Sequence, residues 1–142
     1  MRFWDTSAVV PLVAEEVTSR RCRDCFRADR QMVVWCLTRT EALSALCRHQ
    51  REGRLTLNEL AQAVRRLDSF SGRWTEVDAL LPVRETASRL LRTHPLRAGD
   101  SLQLAAALVL VDHRPQRRAF VCLDDLLSAA ASAEGFEVLP HP

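Results

Sequence analysis

The sequence predicts an α/β fold with a parallel sheet. Short apolar, β-branched or aromatic runs alternate with longer stretches of helical periodicity along the chain. Two of the helical stretches follow each other directly, as an αα-hairpin inserted between strands. No repeat, low-complexity tract or internal linker interrupts the pattern, so residues 1–142 are read as one domain with one core.

Arg2-Phe3-Trp4 is a short buried strand that ends at Asp5. Thr6 to Glu15 reads as a helix, with Pro11 near its first turn, where a missing N–H costs least. Thr18 to Ala28 is a polar helix, and Gln31 to Cys36, apolar and β-branched, is the second strand. Thr38 to Arg51 is a helix closed by Gly53. Leu57, Leu60, Ala61, Val64 and Leu67 repeat with helical spacing and mark one face of the hairpin's second helix. Val77 to Leu81 reads as a strand, and Val83, Ala87, Leu90 and Leu91 as a helix stopped before Pro95. Gly99 to Asp112 is apolar nearly all round, so that helix is buried, and Ala105, Ala106 and Ala107 let it approach the sheet closely. Ala119 to Leu123 is a strand, Asp124 to Ala133 a helix with Gly135 as its C-cap, and Phe136 to Leu139 an edge strand.

Composition narrows the function. The apolar fraction is 47% and the charged fraction 27%, an ordinary globular balance. The longest apolar run, Leu104 to Val111, falls far short of the ~18 residues a membrane span needs. An acid at position 5 argues against a secretory signal, so the expected compartment is the cytoplasm. The net charge of +2 does not by itself mark a nucleic-acid binder. Every basic side chain other than histidine is Arg; without Lys there is no P-loop, and the four glycines form no dinucleotide-binding loop. Cys22-x-x-Cys25 lacks a second pair to complete a zinc site and reads as two helix cysteines. Trp4 reads as a core residue, Trp35 and Trp74 read as interior packing with base stacking on RNA as the alternative, and no histidine is placed for acid–base work.

The informative feature is the position of four acids. Asp5 and Asp124 each end a strand and open a helix, Glu41 lies in the first turn after the second strand, and Asp100 begins the buried helix. Ligands of open α/β sheets bind at the carboxyl ends of the strands, where these four could converge. Each also has a structural reading. Thr38-Arg39-Thr40-Glu41 matches a capping box, Asp100-Ser101-Leu102-Gln103 resembles one with Asp as the cap, and Asp5 and Asp124 suit N-caps. If the acids converge, their repulsion calls for a cation, and an all-oxygen set favours Mg²⁺ or Mn²⁺.

Phe3-Trp4-Asp5-Thr6-Ser7-Ala8-Val9-Val10, Thr40-Glu41-Ala42-Leu43-Ser44-Ala45-Leu46, Leu96 through Ala107 and Phe120-Val121-Cys122-Leu123-Asp124-Asp125 resemble, in order, the motifs of PIN-domain ribonucleases, especially the VapC-type toxins of toxin–antitoxin pairs. The resemblance implies a three-layer α/β/α sandwich around the parallel sheet. It implies catalytic and metal-holding roles for Asp5, Glu41, Asp100 and Asp124 with Mg²⁺ or Mn²⁺, and makes Ser7 a supporting residue that orients a water on the metal. It further implies an RNA substrate cut to 5′-phosphate ends, a small VapB-type antitoxin and a homodimer. Cys122 stands where the family often has Thr, and Leu126 where it often has a basic residue. Asp125 competes with Asp124 for the fourth place; Asp124 is preferred because it directly follows the strand. The alternatives are a non-catalytic PIN-fold module that binds RNA or protein, a nuclease acting on DNA, and four acids that are helix caps only. A degenerate module usually loses acids, and this chain keeps all four.

Overall fold

A computed structural model describes residues 1–141. The described elements are β1 (Arg2–Trp4), α1 (Thr6–Val13), α2 (Ser19–Ala28), β2 (Met32–Trp35), α3 (Thr38–Arg51), α4 (Leu57–Ser71), β3 (Thr75–Val77), α5 (Leu80–Thr93), α6 (Ala98–Leu110), β4 (Ala119–Val121), α7 (Asp125–Glu134) and β5 (Glu137–Leu139). The strands form one sheet in the order β3-β2-β1-β4-β5, and every pairing is parallel.

The chain starts in the middle of the sheet, builds outward to β3, then crosses back to lay β4 on the other side of β1. That reversal makes the carboxyl ends of β1 and β4 a topological switch point, where the connections leave in opposite directions and open a crevice. Phe3 pairs in register with Val33 and with Phe120, so the central strand is held from both sides.

Successive strand side chains face opposite ways. Phe3, Val33, Trp35 and Phe120 point into a core with α5, α6 and α7. Trp4, Val34 and Val121 point into a second core with α1, α2, α3 and α4. The result is the expected three-layer α/β/α sandwich. Phe3 and Phe120 stack with centroids 5.4 Å apart, and Trp4, Trp35 and Phe120 are fully buried. Ala105, Ala106 and Ala107 are fully buried against the sheet, as the small-residue pattern of α6 requires. Gly135 caps α7 at φ 105°, a left-handed conformation that glycine adopts without strain. Among the described residues no helix is long and apolar enough to cross a membrane.

Three local expectations need correction. Pro11 lies in the second turn of α1, not the first, so it removes a backbone bond to the Ser7 carbonyl; the helix ends at Val13, short of Glu15. The third strand is Thr75–Val77, not Val77–Leu81. Leu80 and Leu81 are exposed and open α5, where Pro82 sits in the first turn and needs no N–H partner. Finally, Leu60, Ala63, Leu67 and Phe70 pack inward from α4, while Leu57 and Ala61 face outward. The helical period was right, but the inward face is rotated from the one expected.

Candidate active site

Each of the four acids is delivered by a different segment at the carboxyl edge of the sheet. Asp5 leaves β1 with extended backbone (φ −75°, ψ 155°) and caps α1: its Oδ2 accepts the Ser7 N–H at 2.9 Å. Its own N–H donates to the Val121 carbonyl at 2.9 Å, tying it to β4. Asp124 caps α7, its Oδ1 accepting the Leu127 N–H at 2.8 Å. Glu41 and Asp100 lie in the first turns of α3 and α6.

Capping therefore accounts for two acids and fails for the other two. The cap of α3 is Leu37, with no side-chain bond, and Thr38 is fully buried. Instead of reaching back to a cap, Glu41 takes hydrogen bonds on Oε2 from the Thr6 hydroxyl at 2.6 Å and the Gln103 amide at 2.7 Å. The cap of α6 is Arg97, so Asp100 is a helical residue and does not cap. The chain does contain a complete capping box, at Thr56 and Glu59 of α4.

Asp5, Ser7, Glu41, Asp100 and Asp124 all line one cleft of about 650 Å³. Asp125 lines a separate depression with Arg21 and Cys122. Within the cleft Asp5 feels the charge of Glu41, and Asp100 that of Asp124. Burial is the main force pushing the Asp5 carboxyl up to about 6; hydrogen bonds from Ser7 oppose it, and the Glu41 charge adds to it. Burial, then the Asp124 charge, raises Asp100 above the ordinary carboxylate range. None of the four acids forms a salt bridge among the described residues.

This chemistry fits a hard divalent cation: the donors are all oxygen, their charges repel, and no Arg side chain pairs with them. As the side chains stand, no three acid, His or Cys side chains among the described residues close on a single point. The four acids therefore share a cleft without forming a preassembled cage.

Ser7 serves the local frame. Besides its N–H bond to Asp5, its Oγ accepts the Leu123 N–H at 2.9 Å, joining the start of α1 to the exit of β4. Cys122 is buried beside Asp5, with its thiol 3.7 Å from the Asp5 carboxylate; burial first, then the Asp5 charge, pushes it up to about 12. Cys22 is fully buried and likewise pushed up to about 12, so Cys22-x-x-Cys25 is core packing without thiolate chemistry.

Sequence reasoning missed several contributors to the cleft, among them Glu16 and His49, which line it although neither matched a motif. Thr6 and Gln103 hold Glu41. Gln103 carried a usable signal, as a polar residue among Leu102, Leu104 and three alanines in a helix expected to be buried. Arg48 lines the cleft from the same face of α3 as Glu41 and Ser44 and is exposed, with no ion-pair partner among the described residues. Its signal was the α3 spacing 41, 44, 48, read before only as part of a hairpin.

Comparison with known proteins completes the description. The family profile described as PIN domain matches residues 2–111, so Asp124 lies beyond the matched stretch. Two proteins of Mycobacterium tuberculosis are similar over most of the chain: Ribonuclease VapC45 of strain CDC 1551 / Oshkosh and Ribonuclease VapC49 of strain ATCC 25618 / H37Rv. Each is 30% identical over 138 residues, covering 97% of this chain and 94% of the relative.

Proposed function

This chain belongs to the PIN-domain family, and we propose that it is a Mg²⁺- or Mn²⁺-dependent endoribonuclease of the VapC toxin kind. The observation that carries this reading is one cleft lined by four acids from four segments, none of which forms a salt bridge among the described residues. A module that only bound RNA would gain nothing from that uncompensated charge, since acids repel phosphates.

In this reading Asp5, Glu41, Asp100 and Asp124 would hold the cation, which supplies an activated water and a clamp on the phosphodiester when bound. The chain's own residues do the rest. Ser7 holds Asp5 in place through its N–H. Thr6 and Gln103 hold Glu41. Arg48, two turns along α3 from Glu41, receives a phosphate of the RNA strand beside the scissile bond, because guanidinium matches phosphate geometry. His49, the histidine in the cleft, has Nδ1 3.7 Å from Glu16, and no second histidine accompanies it there. In this reading water, not the RNA 2′-hydroxyl, is the nucleophile.

The proposed partners are RNA, a small VapB-type antitoxin and a second copy of the chain, in the cytoplasm, with the chain acting as one folding unit. The outer face of α4 suits the antitoxin: Leu57 is 73% exposed and Ala61 lies one turn on.

The test is the chemistry of the cut. RNA incubated with the protein and Mg²⁺ or Mn²⁺ is cleaved to 5′-phosphate and 3′-hydroxyl ends, and EDTA abolishes cleavage. Ends bearing 2′,3′-cyclic phosphate, or undiminished cleavage in EDTA, would overturn the mechanism.

A further inference from the structure

Gln103 is 1% exposed in the middle of an otherwise apolar helix. A buried amide is destabilising unless its hydrogens find acceptors. Here its Nε2 faces three oxygens: Glu41 Oε2 at 2.7 Å, Thr6 Oγ1 at 2.8 Å and Thr38 Oγ1 at 3.1 Å. The orientation of the amide is forced, because a carboxylate only accepts and so the nitrogen must face Glu41. Thr6, itself an acceptor from Gln103, passes its hydroxyl hydrogen to the same Glu41 oxygen at 2.6 Å.

The network is one-sided. Both donors converge on Oε2, while Oε1 has no hydrogen-bond partner among the described residues. Neither donor carries a charge, so both grip the carboxylate without cancelling the attraction it holds for a cation. Gln103 also lies one turn beyond Asp100 on α6, so the helix that supplies one acid also supplies the grip on another.

We propose that Gln103, assisted by the Thr6 hydroxyl, is a positioning residue for Glu41 on which the cleft's affinity for a divalent cation depends. The inference rests on the metal-dependent reading of the cleft. Partners that hydrogen-bond a metal-binding side chain from behind fix its orientation, and their removal typically costs about 10–100-fold in metal affinity.

The experiment is calorimetric titration of the full chain with Mn²⁺, without RNA. Gln103→Met, close in volume and devoid of donors, weakens Mn²⁺ binding by about 10–100-fold. Thr6→Val removes only the second donor, weakens binding in the same direction, and carries the test alone if Gln103→Met does not fold. A positioning role also dictates a double-variant result. Added to Glu41→Gln, Gln103→Met brings no further loss of Mn²⁺ affinity, because the group it serves is already gone. Folded variants that bind Mn²⁺ like the wild type, or losses that multiply in the double variant, overturn the inference while leaving the metal reading intact. A wild type that takes up no Mn²⁺ overturns both.

Discussion

Asp5 is 4% exposed, and burial holds its carboxyl at about 6 against an ordinary value of 3.8. The unfolded chain releases this proton near 3.8, and the metal-free folded chain only near 6. Between those values the folded state binds the extra proton, so stability falls as pH rises through the window and the penalty is complete above about 6. Asn keeps the cap on the Ser7 N–H and cannot ionise. Asp5→Asn without metal is therefore expected to be more stable at pH 7 by roughly 1–3 kcal/mol, to lose the fall between pH 4 and 6, and to lose cleavage. Mn²⁺ should raise the melting temperature of the wild type more than that of the variant. Urea melts at pH 4 and pH 7 in EDTA check this; parallel pH slopes would count against it. Asp125→Asn, outside the cleft, is the control and should match wild type in stability and cleavage.

α3 is a polar ruler along the cleft. Thr40, Glu41, Ser44, Ala45, Arg48 and His49 recur at helical spacing and line the cleft, while Ala42 and Leu46 are buried in the core. The helix places a cation about 10 Å along its axis from the acid in its first turn. If Arg48 meets a phosphate, Arg48→Gln should weaken RNA binding at low salt and reduce the slope of log K against log salt by about 0.7, the share of one contact on a single strand. The variant should retain its response to Mn²⁺. An unchanged salt slope would remove Arg48 from the RNA path. The same helix shows why a local motif can mislead: Thr38 and Glu41 have capping-box spacing, yet Thr38 turns inward to Gln103 and Glu41 turns to Thr6.

At the scale of the molecule, the sandwich has buried both faces of the sheet, and the α3–α4 hairpin still carries apolar side chains on its outside. Leu57 and Ala61 share one face of α4, at the spacing an amphipathic partner helix reads. Leu57→Glu should leave the stability of the isolated chain within about 0.5 kcal/mol, as exposed positions do. In the toxin reading it should weaken copurification with the proposed VapB-type antitoxin by tenfold or more. A complex with that protein in which Leu57 and Ala61 remain in solvent would refute the assignment.

Element types were legible because they depend on near neighbours. Among the described residues the strand and helix periods gave the type and order of the five strands and seven helices, with β3 misplaced so that only Val77 overlapped. The starts of four helices brought Asp5, Glu41, Asp100 and Asp124 forward as candidates. Where two local readings competed, the sequence could not choose. Leu80 and Leu81 could end a strand or open a helix, and only the pairing of Thr75–Val77 with β2 decided it. The rotation of α4 depended on which face met α3 and α1. Glu41, Thr6 and Gln103 are separated by 35 to 97 positions, and no local rule connects them. They meet because β1 lies at the centre of the sheet, with α1 and α3 on one face and α6 on the other, and their first turns end at the same edge. Residue chemistry and spacing thus settled which groups could act, while long-range strand order alone decided which of them share a cleft.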